Sequence, residues 1–132
     1  MTKSHPAYIL VIDDDPANNF LTQHALKKAQ YKGQLDVFES ALEALEMLDQ
    51  LHDKNQALPD LIFLDINMPR MNGWEFLEAS HARPWTSEMG KVAMLTASIN
   101  PEDEQRAKTF RANHFLRKPL KSQDLEALFD SL

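Results

Sequence analysis

Short apolar runs bounded by turn residues alternate along this chain with stretches whose apolar positions recur every three to four residues. The runs predict strands over about 8–12, 35–39, 61–65, 92–96 and 113–117. The longer periodic stretches predict helices over about 16–30, 41–54, 73–83, 101–112 and 122–131. Tyr8 to Ile12, Leu61 to Leu64 and Val92-Ala93-Met94-Leu95 are continuously apolar, as strands covered on both faces are. Leu35 and Val37 are separated by Asp36, and His114-Phe115-Leu116 is short and mixed, so these two read as edges. Ala41, Leu42, Leu45, Leu48 and Leu51 supply an apolar face for the second helix, and Leu125, Leu128, Phe129 and Leu132 a stripe for the last. Asp15-Pro16 and Asn100-Pro101 read as a cap followed by proline at the first helical position.

Five strand–helix units in one chain imply a parallel sheet with helices on both faces. Right-handed crossovers and two edge strands then select the order 2-1-3-4-5, the flavodoxin-like doubly wound α/β fold with five strands and five helices. The fourth helix has only Ala107, Phe110 and Ala112 as apolar anchors, which predicts a loosely held element. Trp74 and Trp85 read as packing residues, and Gly73 as the residue that permits the turn into the third helix. The segment from Leu51 to Pro59 reads as a specificity loop or a longer connection.

Length and composition narrow the function. A chain of 132 residues suits one domain, expected to span 1–132 with a core over about 7–131 and no output domain. The formal charge of −6 argues against general nucleic-acid binding. Residues 101–132 hold six basic and six acidic side chains, and the basic ones, Arg106, Lys108, Arg111, Arg117, Lys118 and Lys121, read as a solvated face. No cysteine is present, which removes thiol catalysis, disulfides and cysteine metal sites. No segment is apolar enough for membrane insertion, and the cytoplasm is the expected compartment.

The chemistry gathers at the strand ends. Asp13 and Asp14 follow the first strand, Asp65 closes the third, Thr96 the fourth, and Lys118 follows the fifth. Open α/β sheets place ligand sites at those ends. Three carboxylates and one lysine leave a charge of −2, which a divalent cation neutralises. An all-oxygen donor set suits Mg²⁺, or Mn²⁺, and argues against zinc. A carboxylate beside such an ion and a lysine is equipped to attack phosphorus and form an aspartyl phosphate. The five histidines show no ligand spacing and read as structural or exposed.

These residues resemble the receiver domain of two-component response regulators. The matching pieces are Val11-Ile12-Asp13-Asp14, Leu64-Asp65-Ile66-Asn67-Met68-Pro69 with Met71-Asn72-Gly73, Leu95-Thr96-Ala97, and Lys118-Pro119. The resemblance implies Asp65 as phosphoacceptor, phosphorylated from a histidine kinase or histidine phosphotransfer protein. It implies Mg²⁺ bound by Asp14 directly, by Asp13 through water, by Asp65 and by the Asn67 backbone carbonyl. It implies Lys118 pairing with the phosphoryl group across a cis Lys118–Pro119 bond. Thr96 and Phe115 would be the switch pair, altering the surface of the fourth helix, fifth strand and fifth helix for a downstream protein or a phosphorelay. A monomer is favoured over a dimer, and the chain is read as a signalling phosphoacceptor, not a turnover enzyme.

Two departures stand out. Arg111-Ala112 replaces the usual Gly-Ala before the fifth strand, at a cost of roughly 1 kcal/mol if position 111 is left-handed. Phe115 replaces the frequent Tyr. Asn67 and Ser98 occupy positions that tune dephosphorylation in the family. Competing readings are a phosphorylation-independent docking module, an aspartate-nucleophile phosphatase and a flavodoxin-like cofactor or nucleotide binder. Asn67, where such phosphatases typically carry a second Asp, argues against the phosphatase. Three glycines without a glycine-rich phosphate loop argue against the cofactor binder.

Overall fold

Parallel pairing joins five short strands into one sheet in a computed structural model that describes residues 5–132. The strands are β1 (Tyr8–Ile12), β2 (Gln34–Phe38), β3 (Leu61–Asp65), β4 (Lys91–Thr96) and β5 (His114–Arg117), in the spatial order β2-β1-β3-β4-β5. The helices are α1 (Pro16–Lys28), α2 (Ala41–Asp53), α3 (Gly73–His81), α4 (Pro101–Thr109) and α5 (Ser122–Ser131), with a 3₁₀ turn at Thr86–Glu88. The two strands read as edges are the edges, and the winding is the one the apolar runs predict.

Side-chain alternation along each strand assigns the two core layers. Leu10, Ile12, Ile62, Leu64, Val92 and Met94 face α2, α3 and α4, where they meet Leu45, Leu48, Trp74, Phe76, Leu77 and Ala107. Ile9, Val11, Leu61, Phe63, Ala93 and Leu95 face α1 and α5, against Ala25, Leu26, Leu125, Leu128 and Phe129. The register aligns Ile12 with Leu64, Asp65 with Leu95, and Thr96 with Arg117. The carboxyl ends of the three central strands therefore finish level. The chain runs outward from β1 to β2 and returns on the other side as β3, which puts the topological switch point between β1 and β3.

Helix ends follow local chemistry. Asp15 caps α1, its Oδ1 accepting from the Ala17 amide at 2.9 Å, and Asn100 caps α4 through the Glu102 amide at 2.8 Å. Asn72 and Glu75 form a reciprocal capping box at α3, which the sequence reading passed over. α4 stops at Thr109, three residues short of the predicted end, because Arg111 turns left-handed at φ 60°. The Ala112 amide then reaches back to the Ala107 carbonyl at 2.8 Å. Gln30 closes α1 in the same way at φ 63°, so the helix ends at Lys28, two residues short of the expected end at 30.

Three packing expectations change. The buried face of α2 is Ala41, Ala44, Leu45 and Leu48, a strict i, i+3, i+4, i+7 set, and Leu42 lies off it, exposed. Leu132 falls beyond α5 and is also exposed. Gly73 has no positive φ; a Cβ there would lie 2.6 Å from the Asp65 carbonyl oxygen. Close approach of α3 to the end of β3 is what excludes a side chain, not backbone conformation. Trp74 and Trp85 are buried, and the Trp85 indole donates to Asp49 at 2.7 Å. Ala107 is the one buried residue within α4, which Arg106 helps seat by lying 4.8 Å above the Trp74 ring.

Candidate functional site

β1 ends where its last residues leave the sheet, and Asp13 is held there on every side. Its amide donates to the Phe38 carbonyl at 3.0 Å, and its own carbonyl accepts from Asn19 Nδ2 at 2.8 Å. Its Oδ1 accepts from the Asp15 amide at 2.9 Å and its Oδ2 from Lys118 Nζ at 3.1 Å. Asp13 is 1% exposed, Asp65 3%, while Asp14 is partly open to solvent. Lys118 Nζ also reaches Asp65 Oδ1 at 3.1 Å, and the Asn67 amide donates to the same oxygen at 3.4 Å. Lys118 is placed by its backbone, whose amide donates to the Thr96 carbonyl at 2.7 Å, and the Lys118–Pro119 bond is cis.

One oxygen from each of Asp13, Asp14 and Asp65 lies within 4.8 Å of the others. The predicted convergence of three acids is present, and no histidine belongs to it. An open cleft of about 470 Å³ lies over the cluster, lined by Asp14, Asp15, Asn18, Asp65, Asn67, Ala97 and Lys118. Lys118 supplies one positive charge to the three acids, so the set is two short of neutral. Clustered carboxylate oxygens with an open face match what a hard divalent cation takes.

The electrostatics carry the mark of that imbalance. Burial first, and then the neighbouring Asp13 charge, push the Asp65 carboxyl up to about 6, against the opposing pull of Lys118 and the Asn67 amide. Burial by itself would lower the Lys118 amine, but its bonds and charge pairing with Asp65 and Asp13 outweigh that and hold it above its ordinary value. At neutral pH the site therefore holds an ionised Asp65 and a charged Lys118, with the carboxylate nearer to titration than composition suggests.

Thr96 is buried at the end of β4, but its hydroxyl donates to the Ser98 carbonyl at 2.8 Å and accepts from the Ser98 amide at 3.3 Å. It is folded onto its own loop and makes no bond to Asp65 or to the Lys118 amine among the described residues. Phe115 is half-buried against the layer that contains Trp74 and Met94. The site thus joins Asp13, Asp14, Asp65, Asn67 and Lys118 and leaves Thr96 and Phe115 apart from it. Sequence reasoning missed Asn19, whose one visible signal was a polar residue on the apolar face shared by Ala25 and Leu26.

Among known proteins, the likeness is consistent. The family model for the response regulator receiver domain matches residues 9–130. Response regulator Rcp1 of Synechocystis sp. is 31% identical over 91% of this chain and 82% of its own length. Its Mn²⁺-bound crystal structure superposes with a TM-score of 0.73 at 29% identity, covering 96% of this chain and 91% of that one. A two-component response regulator from Cytophaga hutchinsonii superposes with a TM-score of 0.87 at 26% identity over 97% of each chain. Hybrid signal transduction histidine kinase C of Dictyostelium discoideum is 31% identical over 93% of this chain, which spans 10% of that much longer protein. No helix among the described residues is long and apolar enough to cross a membrane. With the strand order, the level strand ends and the acid cluster all in agreement with the matched region, the chain belongs to the response regulator receiver domains of two-component signalling.

Proposed function

We propose that the chain is a phosphorylation-controlled switch in which Asp65 receives a phosphoryl group from a histidine kinase or histidine phosphotransfer protein. One observation carries the reading: a buried Asp65 carboxylate, 3.1 Å from the Lys118 amine, faces an open cleft beside two further carboxylates. A carboxylate oxygen of Asp65 forms the bond to phosphorus as the phosphorus–nitrogen bond of the donor breaks, and the departing imidazole takes a proton from solvent. No general base is required, because Asp65 is mostly ionised at pH 7 with its carboxyl at about 6.

Asp14, Asp13, Asp65 and the Asn67 carbonyl would hold Mg²⁺ or Mn²⁺, with Asp14 in direct contact and Asp13 acting through water. When bound, the ion supplies charge neutralisation for the phosphoryl oxygens. Lys118 keeps its place and exchanges the Asp65 oxygen for a phosphoryl oxygen. Thr96 gives up the Ser98 carbonyl to bind the phosphoryl group, and Phe115 follows inward. The surface of α4, β5 and α5 then changes for a downstream protein or a further relay step. The proposed setting for these events is the cytoplasm.

Intact mass after incubation with acetyl phosphate and Mg²⁺ tests the reading. One labile phosphoryl adduct is expected, absent without Mg²⁺ and absent from Asp65→Asn. Mg²⁺ binding without any adduct, after slow hydrolysis is excluded, supports the docking-module alternative instead. Steady turnover of a phosphate ester supports the phosphatase.

A further inference from the structure

Asn19 sits on the buried face of α1 with Thr22, Ala25 and Leu26. It is 4% exposed. Its Nδ2 donates to the Asp13 carbonyl at 2.8 Å, an acceptor that fixes which way the amide points. Its Oδ1 is buried without a hydrogen-bond partner, the one such side-chain atom among the described residues. Burying an amide with half of its capacity unused opposes folding, so stability does not account for the residue.

What Asn19 grips is the peptide that joins Asp13 to Asp14. Asp13 is otherwise well anchored, its amide on Phe38 and its carboxylate on Asp15 and Lys118. The Asp14 carboxylate has no hydrogen bond of its own among the described residues, and its direction is set by the backbone that carries it. The Asp13 carbonyl is the acceptor end of the peptide whose amide belongs to Asp14. Rotation of that plane would swing Asp14 away from the other two acids.

We infer that Asn19 is a positioning residue for the divalent cation. Its side-chain amide locks the Asp13–Asp14 peptide, so the Asp14 carboxylate is aimed before the ion arrives. This rests on reading the three acids as a cation site. Outer groups that orient metal ligands typically change affinity 10–100-fold when removed.

The test is Mn²⁺ titration of the full chain, read from the electron paramagnetic resonance signal of the free ion, with melting curves recorded in chelator. Asn19→Leu is expected to weaken Mn²⁺ binding about 10-fold while the metal-free melting temperature stays within about 3 °C. Asn19→Gln, which restores a donor, is expected to recover most of the affinity. Should Asn19→Leu fail to fold, Asn19→Ala is titrated against the same criterion. Binding by the apolar variant within about twofold of the parent overturns the inference, as does equal loss in the Leu and Gln variants, which would indicate packing alone. A parent that binds no Mn²⁺ overturns the cation reading beneath it as well.

Discussion

The two sides of this site are held very differently. On the β1 and β3 side, Asp13 is fixed through its amide, its carbonyl and both carboxylate oxygens, and Asp65 through Lys118 and Asn67. On the β4 and α4 side, the Thr96 hydroxyl is engaged only with its own loop, α4 buries Ala107 alone, and Phe115 is half-buried. Chemistry needs the first kind of support, because attacking groups must be in place before reaction. A signal needs the second, because elements with few buried contacts shift at small cost. One sheet supplies both by placing the acids at its centre and the switch residues toward an edge.

The largest expected effects fall on the fixed side. Asp65→Asn should abolish the phosphoryl adduct, and in chelator it should also stabilise the fold. The sign follows from the raised carboxyl. Folded Asp65 titrates at about 6 and unfolded Asp near 3.9, so the folded state binds more protons between those values. Stability contributed by the protonated form is therefore lost as pH rises from about 4 to 6, and the charge is a burden above that. Melting curves from pH 4 to 8 should show the advantage of Asp65→Asn growing across that window to roughly 3–6 °C at neutral pH. An advantage that does not depend on pH would break the electrostatic account.

Next in size is Lys118→Met, which removes the cation shared by Asp13 and Asp65. Breaking such a buried pair should cost about 3 kcal/mol at pH 7.5 in chelator. Its loss also removes a force that lowers the Asp65 pKa. In chelator, the titration midpoint of Asp65 itself, followed by the NMR signal of its carboxyl carbon, should therefore move up from the parent value. Denaturant titrations at pH 7.5 and 5 should show part of the destabilisation relieved at the lower pH.

Thr96→Ala sharpens the contrast in the other direction. Adduct should still form on Asp65, since the hydroxyl is not bonded to it. The change in amide hydrogen exchange across α4 and β5 on phosphorylation should shrink. The smallest effect is expected from Arg106→Ala, which removes the cation over Trp74 and Phe110. About 0.5–1 kcal/mol is at stake, visible as faster exchange in α4 with β1 and β3 unchanged. Equal loosening of the central strands would show that the two sides are one cooperative unit.

Much of this was legible along the chain. Continuous apolar runs marked the strands buried on both faces, alternation marked an edge, and the acids and lysine directly after those runs marked the ligand end of the sheet. Such patterns depend on local burial and on handedness, which any chain of this composition must obey. Even the left-handed strain at Arg111 was visible as a departure from Gly-Ala, and φ 60° is what the chain adopts there.

Other features depend on what lies across a gap of a few ångströms between distant segments. Gly73 is required because the Asp65 carbonyl passes beside it, and no turn signal encodes that distance. The helical phase of α2 turned on Ala44 over Leu42, a choice made by the layer of strands beneath it. Asn19 meets the Asp13 carbonyl only once α1 has folded back over the end of β1. The engagement of Thr96 with Ser98 likewise depends on the path of one loop. Sequence alone determined which groups stand at the strand ends, because periodicity is a local consequence of burial. Tertiary structure alone decided which of them are bonded, because a hydrogen bond is settled by distances that chain spacing does not contain.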